Sequence, residues 1–167
     1  MSKSTRQDAV KSTLEPSRTA AGDAASELVV HVFRLSGLLT AAGDAMAAPA
    51  GQTTARWRVL AAIENAPLTV PQIARAWWLS RQSVQRVADV LAADGLALYE
   101  DNPGHRRSRL LRITPKGLSA LREIRGAQRV WADELGDEIG ETDLRTANEL
   151  LARAVEALAR RGSTSEA

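Results

Sequence analysis

Apolar positions recur at helical spacing along most of the chain. Leu28, Val32, Leu35 and Leu39 follow one another at steps of four, three and four, one stripe of a long helix from about residue 23 to 47. Pro49-Ala50-Gly51 breaks it. A second helix starts at Thr53 or Thr54, either of which caps a first turn, and Asn65-Ala66-Pro67 ends it. Leu68 is left as a short extended link. Thr69-Val70-Pro71-Gln72 reads as a capping box with Pro in the first turn, opening a brief helix whose apolar face is Ile73, Ala74 and Trp77. After a short break Ser80 caps another helix. Val84, Val87 and Leu91 share one face of it, and Arg81, Gln82, Gln85, Arg86 and Asp89 lie elsewhere, until Asp94-Gly95 stops it. The pattern then shortens to that of strands over residues 96–101 and 109–113. A turn begins at Asn102-Pro103-Gly104, so the tip is His105-Arg106-Arg107-Ser108. Thr114-Pro115 opens a helix with Leu118, Leu121, Ile124 and Val130 on its apolar side, and a last helix from near Thr142 carries Leu144, Leu151, Val155 and Leu158. Residues 1–22 and 161–167 hold too few large apolar groups to offset ordering entropy and are expected to be flexible tails.

Composition narrows the chemistry. The 167 residues include no Cys and only two His, which excludes disulfides, thiolate zinc and a thiol redox switch, and leaves no metal or cofactor expected. No apolar run approaches the roughly 20 residues of a membrane span, and the start of the chain lacks a secretory stretch, so a cytoplasmic protein without a membrane partner is expected. There is no nucleophile–base motif, glycine-rich phosphate loop or metal-ligand cluster, and an enzyme is not expected. Net charge is only +2, but it is unevenly spread. Arg106, Arg107, Arg109, Arg112, Lys116, Arg122 and Arg125 face the single acid Glu123, whereas the charges over residues 133–143 are all acidic. A basic block in a near-neutral chain marks where a polyanion docks, or else a solvated face.

The order helix, helix, short helix, helix, hairpin, helix, helix is that of a winged helix-turn-helix. The fold class is mainly α with a small two- to three-stranded β wing. The helix of residues 80–93 fits the major groove of double-stranded DNA, where Gln pairs bidentately with adenine and Arg with guanine. The tip arginines fit the adjacent minor groove. The candidate DNA-binding set is Thr69, Ser80, Arg81, Gln82, Ser83, Gln85, Arg86, His105, Arg106, Arg107 and Arg109. The other reading is a winged-helix module that binds protein without specific DNA contact, which would not need the tip arginines. The apolar stripes of the first and last helices exceed what the small lobe covers, which points to a homodimer through these helices, the alternative being an intramolecular cap.

Residues 69–117, with "TVPQIARAWWLSRQSVQRVADVLAADGLA" followed by "NPGHRRSRLLRITPKG", resemble the core of the MarR family of transcriptional regulators, and the flanking helices fit the family's order. The resemblance implies a homodimer bound to a pseudo-palindromic operator, usually as a repressor of nearby genes, and released by a small, often aromatic, effector. It implies an N-terminal dimerisation helix over 23–50, a DNA-binding domain over 51–117 and C-terminal dimerisation helices over 118–160. Arg107 takes the place of the wing arginine. His105 stands where the family usually has an aspartate that braces it, and a neutral imidazole does not replace a carboxylate. The family's effector cleft makes His31, Arg34, Trp57 and Trp78 the candidate ligand-binding residues. Each has a plainer role: Trp57 as a core anchor, His31 as a partner of Glu27, Arg34 as a solvated cation, and Trp77 with Trp78 as core. Trp78 also departs from the small residue usual in this turn. A positive φ there would strain a bulky residue, so the turn is expected to be shifted by one residue, with one indole inward and one near the surface.

Overall fold

Four hydroxyls turn the chain into its helices. Thr53, Thr69, Ser80 and Thr114 each accept a hydrogen bond from the backbone N–H three residues on, at Arg56, Gln72, Ser83 and Gly117. At Thr69 the bond is reciprocated, because the Gln72 side chain accepts from the Thr69 N–H at 2.8 Å and closes a capping box. These caps organise a computed structural model that describes residues 18–105 and 108–164. The elements are α1 (Ala20–Ala47), a 3-10 turn (Ala48–Ala50), α2 (Thr54–Ala62), β1 (Leu68–Thr69), α3 (Val70–Ala76), α4 (Arg81–Ala93), β2 (Ala97–Glu100), β3 (Leu110–Ile113), α5 (Pro115–Ile139) and α6 (Glu141–Thr164).

The sheet is antiparallel in the order β1-β3-β2, with Leu68 opposite Leu111, and Ala97 opposite Ile113. Leu68 is thus not a plain link but half of a third strand, because β3 offers its second edge to the residues entering α3. Beneath the sheet Leu60, Ile63, Ile73, Val84, Leu91, Leu111 and Leu121 form a fully buried core. Burial of such side chains stabilises by roughly 1.5–3 kcal/mol each before entropy is set against it. The start of α5 lies so close to the entry of β2 that a Cβ on Gly117 would sit 2.2 Å from the Leu96 carbonyl oxygen. Only glycine fits there, and the close approach fixes the wing's base against α5.

The described residues fall into two units, divided between Ala42 and Gly43. Residues 43–47, the last of α1, belong with the lobe. Asp44 accepts from the Thr54 N–H at 2.7 Å, capping α2 from outside, and this bond holds its carboxyl below the usual value of 3.8. Residues 20–42 are a helix whose side chains at 31–40 are all exposed, Phe33 at 74%. By length and composition alone the helical stretch Ala20–Ala50 is long and apolar enough to cross a membrane, which corrects the expectation that no apolar run approaches that length. His31 and Arg34 interrupt the run without lowering its average enough.

Other boundaries move. Helix α1 begins at Ala20, earlier than the expected residue 23, and α6 continues to Thr164 through what read as a tail, while residues 1–17 and 165–167 lie outside the described set. On α5 the apolar side splits: Leu121 and Ile124 are buried, but Val130 is 58% exposed. On α6, Val155 and Leu158 are exposed as well.

Candidate nucleic-acid interface

Helix α4 is amphipathic in the sense the interface needs. Val84, Ala88 and Leu91 enter the core, and Val87 packs half-buried beside them. At 100° per residue the opposite face is centred on Gln82, Arg86 and Asp89, with Gln85 to one side, while Arg81 stands at the start of the helix. Arg81, Gln82, Ser83, Gln85 and Arg86 are all exposed. Among the described residues the side chains of Arg81, Gln82 and Arg86 have no hydrogen-bond or ion-pair partner, so their polar ends are available to a ligand. Ser80 and Thr69 are engaged as caps, Thr69 mostly buried. Ser80 therefore contributes the oriented N–H groups of the first turn of α4, which favour an anion.

The other wall is the wing. The Asn102 side chain accepts from the Gly104 N–H at 3.0 Å and donates to the Ser108 carbonyl at 2.9 Å, and the Ser108 N–H donates to the His105 carbonyl at 3.0 Å. His105 is exposed beside Asn102 in a cleft of about 410 Å³ that also takes in Arg75 and Arg81. Arg106 and Arg107 lie outside the described residues. Arg109 donates to the Tyr99 carbonyl at 2.8 Å, and its guanidinium stands over the Tyr99 ring, 5.3 Å from the centroid. Between α4, the start of α3 and the strands lies an open cleft of about 630 Å³, lined by Val70, Pro71, Arg81, Gln82, Tyr99 and Arg109 among others.

Two features were not visible in the candidate list. Gln85 is joined to Asp89 and to the Tyr99 hydroxyl, so its amide is already engaged. The spacing of Gln85 and Asp89, one turn apart, is a readable signal. The tyrosine is not, since its reach depends on how β2 lies on α4. The basic block is also less open than its charge count implies. Arg112 pairs bidentately with Glu100 at 2.7 and 2.9 Å, Arg125 pairs with Glu64, and Lys116 donates to the Asp94 carbonyl at 2.8 Å. These cations brace the lobe, whereas Arg81 and Arg86 of α4 have no such partner among the described residues.

The ligand candidates belong to both units. His31 and Arg34 are exposed on α1, and Trp57 is half-buried against the core of the lobe. Trp78 corrects two expectations. Its φ is +52°, so the turn is not shifted, and the residue sits in the left-handed region where glycine is usual. Trp77 and Trp78 are 43% and 72% exposed, so neither indole is a core residue. The turn is held by its backbone, with the Trp78 N–H on the Arg75 carbonyl and the Leu79 N–H on the Ala74 carbonyl, while Arg58 lies 6.0 Å from the Trp77 ring centroid.

Known proteins share this arrangement. A family model described as "MarR family" matches residues 50–108. An uncharacterized protein of Mycobacterium tuberculosis is 40% identical over 136 residues, which covers 81% of this chain and 95% of that one. A structure of the transcriptional repressor CouR bound to a 23-mer DNA duplex is similar with a TM-score of 0.71 at 23% identity, covering 83% of this chain and 99% of that one. CouR from Rhodococcus jostii RHA1 bound to p-coumaroyl-CoA gives 0.67 at 17% identity, covering 76% and 90%. With a three-stranded wing, an amphipathic α4 beside it and these matches, the chain belongs to the MarR family of transcription regulators.

Proposed function

We propose that the chain is a sequence-specific DNA-binding regulator, not an enzyme, that acts in the cytoplasm as a homodimer and represses nearby genes from a pseudo-palindromic operator. The observation that carries this reading is the exposed face of α4, where Arg81, Gln82 and Arg86 stand without partners among the described residues beside the wing. Residues 51–117 form the DNA-binding part. Residues 23–50 and 118–160 pair the two copies, which sets the two α4 helices about one DNA turn apart. The exposed apolar side chains of α1 and of α5–α6 support that pairing. Arg107 enters the minor groove next to the major-groove contacts, and Arg106, His105 and Arg109 hold the backbone around it. A small aromatic effector releases the complex, with His31, Arg34, Trp57 and Trp78 as its binding residues. The p-coumaroyl-CoA complex of CouR supports an effector of that kind.

The test is fluorescence anisotropy with the duplex upstream of the chain's own gene and with a scrambled duplex of equal length, at several salt concentrations. Several phosphate contacts make affinity fall by orders of magnitude between about 50 and 200 mM salt. The scrambled duplex is expected to bind at least about tenfold more weakly, since specific binding exceeds non-specific by about 10³ or more in such systems. A shallow salt slope with equal affinity for both duplexes would overturn the reading.

A further inference from the structure

Gln85 lies on the exposed side of the helix proposed to enter the major groove, and its residue type suits adenine. Its hydrogen bonds say otherwise. Gln85 Nε2 donates to Asp89 Oδ1 at 2.7 Å and to the Tyr99 hydroxyl at 2.8 Å. The Tyr99 hydroxyl in turn donates to Asp89 Oδ1 at 2.8 Å. A primary amide carries two N–H donors, and both are engaged. Turning the amide over would set Oε1 against the Asp89 carboxylate, so the orientation is fixed by charge and not by choice of assignment. Bidentate pairing with adenine needs one amide N–H and the amide oxygen together, and the N–H is no longer available.

The same three side chains join two elements. Gln85 and Asp89 are on α4, while Tyr99 is on β2, the strand that leads into the wing. Tyr99 then carries Arg109 from its ring and its carbonyl. The ring of bonds thus links the middle of α4 to a cation just before the far strand of the wing.

We propose that Asp89 and Tyr99 withdraw Gln85 from base reading, so that the three form a latch that positions the wing on α4, and that the base preference from this helix is set without it, chiefly by Gln82 and Arg86. This rests on the DNA-binding reading above. Gln85, Asp89 and Tyr99 are positioning residues, and their effect on sequence choice is to keep one helix position silent.

The latch has its own signature, because Tyr99 is the only tyrosine in the chain. Burial, then the Asp89 hydrogen bond and the Asp89 charge, push the phenol up from 10.0 to about 12, with Gln85 and Arg109 acting the other way. The experiment has two arms on the full chain. In the first, phenolate absorbance is titrated with circular dichroism as a fold control, for the wild type and Asp89→Asn. A midpoint above the free-phenol value of about 10 in the wild type, lowered in the variant, is expected. A wild-type midpoint at the free-phenol value while the chain is folded would overturn the latch.

In the second arm, duplexes are selected from a random library by the wild type and by variants. Gln85→Ala is expected to leave the selected sequence unchanged and to lower affinity a few fold. Gln82→Ala is expected to flatten one position in each half-site by about 5- to 150-fold. Asp89→Ala with Tyr99→Phe frees the amide, and a new adenine preference should appear that adding Gln85→Ala abolishes. If Gln85→Ala alone flattens a position as strongly as Gln82→Ala does, the assignment of Gln85 fails and DNA binding stands. If the wild type selects no sequence, the DNA-binding reading fails and this assignment falls with it.

Discussion

The winged lobe and the first helix treat their hydrophobic pattern in opposite ways. In the lobe most of the large apolar side chains outside the turn of residues 77–79 find neighbours within the chain, and Leu60, Leu91, Leu111 and Leu121 are completely buried. Along residues 20–42 of α1 the stripe of Leu28, Val32, Leu35 and Leu39 is as regular, yet Val32, Leu35 and Leu39 stand exposed together with Phe33 and Leu38. Periodicity alone therefore says that a face will be buried, not by what. The lobe is a self-sufficient core, and α1 carries a surface that a second copy covers in the proposed dimer.

The largest effects sharpen that contrast. Leu111→Ala, at the centre of the sheet, should cost about 2–5 kcal/mol in denaturant unfolding. Leu35→Glu should leave the lobe folded but shift sedimentation toward the monomer, and a variant that associates as the wild type does would break the contrast. Gly117→Ala comes next. Its methyl would lie 2.2 Å from the Leu96 carbonyl oxygen, so a loss of about 1–3 kcal/mol is expected from the shift it forces.

Smaller effects report on the edges of the lobe. Trp78→Gly relieves a left-handed φ of +52°, and thermal melting should show a gain below about 1 kcal/mol, because glycine's own entropy offsets part of the relief. The gain would be absent if the exposed indole had hidden contacts. Asp44 supplies the smallest effect, one seen in pH. Its folded value lies below its ordinary 3.8, so its contribution is complete above that pH and is lost as pH falls through the folded value. Asp44→Asn should lower the neutral and basic limbs by the same small amount and leave the acid end unchanged, so that the acid limb is flatter than in the wild type.

Much of the fold was legible because it is written in local chemistry. Thr69 with Gln72, Ser80, Thr114 with Pro115 and Gly95 each place a helix end from neighbouring residues alone. The wing was expected with two to three strands, but the place of the third was not legible, because Leu68 pairs with Leu111 across 43 residues and nothing local to Leu68 signals it. Trp78 was misread because the backbone hydrogen bonds of the turn outweigh the steric preference of one residue. The interface was legible in part. The unpartnered cations of α4 follow from helical spacing, but the engagement of Arg112, Arg125 and Lys116 within the lobe needs the tertiary structure. So does the latch on Gln85, whose residue type invites the opposite reading.

The central claim is that the exposed face of α4 reads DNA sequence, and one comparison tests it most directly. Gln82→Ala with Arg86→Ala changes only exposed side chains, so the fold, the dimer and the phosphate contacts should persist. Measured by competition on the duplex selected by the wild type and on a random duplex, the variant should retain random-duplex affinity and lose most of its preference, about 1–3 kcal/mol for each lost base contact. A variant that still discriminates between the two duplexes as the wild type does would contradict the account.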